Sequence, residues 1–195
     1  MNMLFDSVPD SLNINGTEYK INTDFRVWIK FEMLLSDDSA DANKTLFEVK
    51  RLIFKEKIPP ANVDEETTEQ ILWFYRCGKK PQKSSEKSKD IFSYEYDDGY
   101  ICSAYMEQYH IDLNDINLHW WKFHAYMLSL SDDTEFVKIM GYRAIEINSK
   151  MSSEQRNFYQ KMKKHFQLPV KKELQQRNNE LEERLLRGED IDDLI

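Results

Sequence analysis

Apolar residues recur along this chain with two different periods. From Ser11 to Ile21, SLNINGTEYKI, the residues Leu12, Ile14, Tyr19 and Ile21 alternate with polar ones about Asn15-Gly16. That is the two-residue period of a half-buried strand. An Asn-Gly pair readily takes the positive φ angles of a tight type I′ turn, so the pattern predicts a β-hairpin. Two strands alone are marginal in water. The hairpin must therefore lie against helices or be completed by another chain, and the second option hints at a partner.

After Thr23 the period lengthens to that of a helix. Thr23 or Asp24 is placed to cap a helix running to about Leu35, with Trp28, Phe31, Leu34 and Leu35 inward. Ser36-Asp37-Asp38-Ser39 breaks it. A second helix, roughly Asp41 to Lys55, puts Leu46, Val49 and Ile53 on one face, and Pro59-Pro60 ends that unit. Asp64-Glu65-Glu66 opens a third helix, negative where the macrodipole favours it. Its stripe is Ile71, Phe74 and Tyr75, and Gly78 is placed to terminate it. Ile91 to Tyr96 reads as a short extended piece or a lead into the next helix. Asp97-Asp98 caps that helix, which carries Ile101, Ala104, Tyr105 and Gln108 and ends near His110.

The stretch that organises the rest is Ile111 to Leu130, IDLNDINLHWWKFHAYMLSL. Trp120, Phe123, His124, Met127 and Leu128 share one helical face, with Asp115 or Asn117 as N-cap. Aromatic side chains bury a large area each, so core packing is the favoured reading of His119-Trp120-Trp121. A binding edge is the alternative. Asp132-Asp133 starts a further helix to about Ile147 through Phe136, Met140 and Arg143, and Ser152-Ser153-Glu154 opens another through His165 with Phe158 and Met162. Beyond Pro169 the stretch Lys171 to Arg187 is nearly all charged or amide. Leu174, Leu181 and Leu185 form a stripe too thin to hold a free helix, so it wants a partner or frays. The acidic end, GEDIDDLI, reads as a solvated tail or a docking peptide.

These patterns predict a mainly α protein: a multi-helix bundle with a small N-terminal β-hairpin and an extended C-terminal helix. Residues 1–168 are expected to form a single helical domain, and 169–195 a C-terminal helix and acidic tail. Lys79 to Asp90, KKPQKSSEKSKD, has five lysines, three serines and no large apolar side chain, the composition of a mobile loop. As a functional element it would be a basic tether; as a solvated insertion it needs no partner.

Composition narrows the function. With 195 residues, 41% hydrophobic and 13% aromatic, the chain can bury one core. The net charge of −8 disfavours nonspecific nucleic-acid binding unless the cations are concentrated on one face. Cys77 and Cys102 form no metal motif, and sequence neither supports nor excludes a bridge between them. The start MNMLFDSVPD has no apolar run of signal-peptide length, and no segment reaches about 18 apolar residues, so a soluble, intracellular protein with no membrane partner is expected.

Candidate chemistry is sparse. The five glycines form no phosphate loop, and no serine sits in a nucleophile elbow. Among His110, His119, His124 and His165 no metal spacing occurs, and His119 and His124 stand about 140° apart around a helix. The acidic pairs Asp37-Asp38, Asp97-Asp98, Asp132-Asp133 and Asp192-Asp193 fall at helix starts or in the tail, where capping or solvation accounts for them. The expectation is a non-enzyme with no catalytic residue, cofactor or metal.

Tyr94-Glu95-Tyr96-Asp97-Asp98, Ile101 to Tyr105, Gln108-Tyr109-His110-Ile111-Asp112-Leu113 and Leu118-His119-Trp120-Trp121-Lys122-Phe123 resemble the signature of the phage "gene-product-fifteen" family. The resemblance runs from the hairpin to about Pro169. Its members are encoded in the tail-gene region of long-tailed phages and prophages of Gram-positive bacteria, between the major tail protein and the tape-measure protein. That position implies a tail assembly chaperone in the host cytoplasm, coating the tape-measure protein, recruiting the major tail protein and leaving before the tail is complete. It also allows self-association and a frameshifted chaperone pair. A structural tail or tail-completion component of the virion is the alternative. A nucleic-acid-binding regulator using Lys79, Lys80, Lys83, Lys87 and Lys89 is a third reading, opposed by the net charge. Expected partner-binding residues are Ile14 and Tyr19 on the hairpin, Lys79, Lys80 and Lys83 in the basic loop, Trp120 and Trp121, and Leu174, Leu181 and Leu185 on the last helix.

Overall fold

A computed structural model describes residues 3–35, 42–80 and 91–169. The expected loop at 81–90 and the expected helix and tail beyond Pro169 lie outside the described residues. The fold is mainly α. Seven α-helices and one two-stranded antiparallel hairpin occur among the described residues. The chain divides into two compact units, Met1–Gly141 and Tyr142–Ile195.

In the first unit, strands β1 (Ser11–Ile14) and β2 (Thr17–Lys20) pair in the register Leu12 to Tyr19 and Ile14 to Thr17. Asn15 and Gly16 have φ of 49° and 73°, the two positive values a type I′ turn needs. The side chains of Leu12, Ile14, Tyr19 and Ile21 all point into the core. The hairpin lies against its own chain, with the helix Asp64–Tyr75 along β1. The Asn15 amide donates to Glu66 Oε1 at 2.8 Å, and the segment after β2 is bridged by Phe54 at Ile21 and by His119 at Asp24.

Helices α1 (Phe25–Leu35) and α2 (Ala42–Ile53) pack on each other. Asp24 caps α1 as expected, its carboxylate accepting from the Arg26 amide at 2.9 Å. Trp28 and Phe31 are inside, while Leu35 turns out to solvent. A 3-10 turn at Ala61–Val63 leads into α3 (Asp64–Tyr75), which lies along β1. Its end departs from the sequence expectation in one respect. Cys77, not Gly78, takes the first left-handed position (φ 54°), and Gly78 follows at φ 73°. The Cys77 and Gly78 amides donate back to Phe74 and Trp73 carbonyls at 2.9 Å each, the bond pair of a Schellman end. A Cβ on Gly78 would also stand 3.1 Å from Trp121 Cη2. Glycine suits the positive φ there, and a side chain would also crowd Trp121.

Helix α4 (Asp98–Tyr109) buries Ile101, Ala104 and Tyr105. Asp97 precedes it, but its side chain makes no cap bond and instead accepts from the Ser93 amide at 2.9 Å. Helix α5 (Trp120–Leu128) starts later than Asp115 or Asn117 would place it, because His119 is the N-cap. Trp121 joins Trp120 and Phe123 inside, whereas Leu128 is 67% exposed. Helix α6 (Glu135–Ala144) buries Phe136 and Ile139 and stops before Ile147.

The second unit holds the remainder of α6 and helix α7 (Ser153–His165). Ser152 and Gln155 form a reciprocal capping box, as the Ser-rich start suggested. Tyr142 stacks on Phe166, and the Arg143 guanidinium donates to the Phe166 carbonyl at 2.6 Å. No residue of α7 is fully buried.

Candidate functional site

The HWWKF stretch is a junction between helix ends. A helix leaves its last carbonyls without intrahelical partners. At the end of α3 the indole of Trp121 donates to the Phe74 carbonyl and that of Trp120 to the Tyr75 carbonyl, each at 2.8 Å. The rings then fill the space around those bonds: Trp120 stacks on Tyr75, and Trp121 lies edge-on to Trp73. Two consecutive tryptophans can do this because neither faces solvent: each is 1% exposed. They sit inside the fold. The same holds for Ile14 and Tyr19, whose side chains are drawn inward by the alternation that marked them as hairpin residues.

His119 completes the junction. Its Nδ1 accepts from the Trp121 amide at 3.0 Å, and its Nε2 lies 3.0 Å from the Pro9 carbonyl. Nδ1 must then be unprotonated, and Nε2 carries the hydrogen donated to Pro9. Burial pushes the pKa of His119 below its ordinary value, the Pro9 carbonyl works against that shift, and Lys122 adds to it. His124 is likewise lowered, by burial first and by Lys79 second. Burial raises the Cys77 thiol to about 12, the state of an unreactive structural cysteine. Cys77 and Cys102 are both free thiols.

An open cleft of about 510 Å³ lies beside this junction, lined by Asn22, Asp24, Arg26, Lys55, Asn117 and His119 among others. Arg26 is the residue that sequence reasoning missed. Its guanidinium pairs with Asp24 at 3.0 Å and donates to the carbonyls of Leu113, Asn114 (3.3 Å) and Ile116 (3.1 Å). It thereby fixes the loop leading to α5. The only signal for it was its place two residues after a cap aspartate. With Arg26 and His119 both engaged by backbone, the polar wall of the cleft ties segments together. No proton-transfer pair is formed by those two side chains.

A second tie was also invisible in sequence. Lys50, 6% exposed, places its ammonium 2.6 Å from Asp64 Oδ1. Every fully buried side-chain nitrogen or oxygen among the described residues has a hydrogen-bond partner. Among those residues no group of three or more His, Cys, Asp or Glu side chains is placed to hold a metal ion, and no helix is long and apolar enough to cross a membrane. Of the expected basic tether, Lys79 and Lys80 are exposed just past α3, and Lys83 lies outside the described residues. Leu174, Leu181 and Leu185 lie outside them as well.

No curated protein and no solved structure matches the chain. A family model described as "Bacteriophage Gp15 protein" matches residues 4–168. That span covers the hairpin, the aromatic junction and α7, and the chain belongs to this bacteriophage Gp15 family.

Proposed function

We propose that this chain is a non-catalytic protein of phage tail morphogenesis, a tail assembly chaperone that binds the tape-measure protein, the major tail protein or both in the host cytoplasm. Membership of the phage family over residues 4–168 is the observation that carries the reading. The engagement of Arg26 and His119 in backbone bonds agrees with a protein that works by contact. Exposed apolar side chains such as Leu4, Phe5, Phe47 and Leu128 offer surface for reversible association.

Co-expression with the tape-measure protein of the same genome tests it. The chain should keep that protein soluble and be captured with it, and deletion of residues 170–195 measures how far that segment contributes. Mass spectrometry of purified particles gives the complementary readout. A chaperone is absent from finished particles. Stoichiometric presence, together with no effect on tape-measure solubility, would make the chain a structural tail or tail-completion component instead.

A further inference from the structure

Two exposed faces of this chain carry opposite charge, and each has an exposed apolar side chain close by. The first lies on α4 and the end of α5. Tyr109 joins the two helices, its ring 4.9 Å from that of Tyr126 and its hydroxyl donating to the Tyr126 carbonyl. Gln108 pins the same corner, donating to the Ser129 carbonyl at 2.9 Å and accepting from the Ser131 amide at 2.7 Å. Met106 (44% exposed) and Tyr126 (36% exposed) are open on this corner. Asp132 and Asp133, directly after Ser131, are exposed beside it. Residues 93–135 hold nine acidic side chains and one lysine. Among the described residues, Asp132 and Asp133 enter no ion pair.

The second face is on α7. Residues 142–169 hold six lysines and arginines against two glutamates, in a chain whose net charge is −8. Lys163 is used internally, donating to the Ile145 carbonyl. Arg156, Lys161 and Lys164 are exposed and enter no ion pair among the described residues; by the 3.6-residue repeat Lys161 and Lys164 stand about 60° apart around the helix, with Arg156 about 80° beyond Lys164. Phe158, 48% exposed, flanks them.

We infer that these faces recognise each other between copies: the basic face of α7 of one molecule docks on the acidic, Met106- and Tyr126-bearing corner of the next. Charges of opposite sign steer and orient such an encounter, and the apolar side chains supply area to bury once it forms. The contact joins different surfaces on the two partners, so it is heterologous. It leaves one face of each kind free at the ends, and it builds chains or closed rings. The inference stands on charge and exposure alone and is independent of the tape-measure reading.

The test is sedimentation velocity on the full chain across a concentration series at low and high salt. Concentration-dependent species larger than a dimer are expected at 50 mM salt, and they should dissociate near 500 mM, where screening falls within about 3–5 Å. Lys161→Glu with Lys164→Glu should weaken association by at least about tenfold, because like charges then face each other. Asp132→Lys with Asp133→Lys should do the same. Mixing the two double variants should restore association, as mixed species only. Circular dichroism of each variant checks that the fold is intact, and the restored mixture cannot arise from misfolding. A monomer at every concentration in low salt overturns the inference, as does association that neither salt nor charge reversal changes. Failure of the mixed variants to associate overturns the pairing of these two faces.

Discussion

Helices α5 and α7 differ in a way their caps do not foretell. Helix α7 has the stronger local signals: a full capping box, an acidic first turn and a basic last turn, over thirteen residues. Yet it buries no residue completely. Helix α5 has nine residues and a histidine for a cap, and it buries Trp120, Trp121 and Phe123. Local signals decide where a helix begins. What the helix contributes is decided by what covers it, because most helical stability comes from tertiary packing. In α5 the covering elements are the end of α3 and the core around Phe25 and Tyr105, whose rings stack with Phe123. In α7 the covering groups are a few aromatics such as Tyr142.

Trp121→Ala should break the comparison most severely. It empties the space of a buried indole and leaves the Phe74 carbonyl without that donor, a change of the class that costs about 3–5 kcal/mol. Urea unfolding should show loss of most of the stability of the first unit. Asp64→Ala comes next, since it leaves the buried ammonium of Lys50 without its carboxylate. A loss of about 2–3 kcal/mol is expected, below the full cost for a buried pair because Asp64 is itself partly exposed. Gly78→Ala should cost about 1–2 kcal/mol through its positive φ and the close approach of Trp121. In α7, Ser152→Ala should cost about 1 kcal/mol for the lost cap. Phe158→Ala should change stability by about 0.5 kcal/mol or less, as exposed positions do. Hydrogen exchange sharpens the contrast: amides of α5 should exchange only with global opening, and those of α7 sooner. If α7 proves as protected as α5, something other than its described contacts covers it.

The pH dependence has a definite sign. His119 has a folded pKa below its unfolded value of 6.5. Its contribution to stability is complete above about pH 6.5 and is lost as the pH falls through the folded value. Protonation of Nδ1 removes the acceptor for the Trp121 amide. The melting temperature should therefore fall between pH 7.5 and 5, less steeply in His119→Asn, which keeps a cap acceptor without a titrating ring. A slope unchanged in that variant would assign the effect to His124 or to the carboxylates.

Sequence by itself determined the mainly α fold, the hairpin with its Asn-Gly turn, the start of α7 and the family. These follow from period, turn chemistry and capping, all of which act within a few residues. The inward side of most helices was legible for the same reason, since Trp28, Phe31, Phe74 and Phe136 repeat at helical spacing. Tertiary structure decided what spacing leaves open. Periodicity put Leu35 and Leu128 on apolar stripes, but no element among the described residues covers them. It left Trp121 off the stripe, although the end of α3 was waiting for its indole. His119 became a cap because Pro9, distant in sequence, holds its other nitrogen, and Arg26 became a clasp because three carbonyls of the 113–116 loop converge on it. Such bonds join residues tens of positions apart, and no local pattern records which distant backbone groups will need a partner.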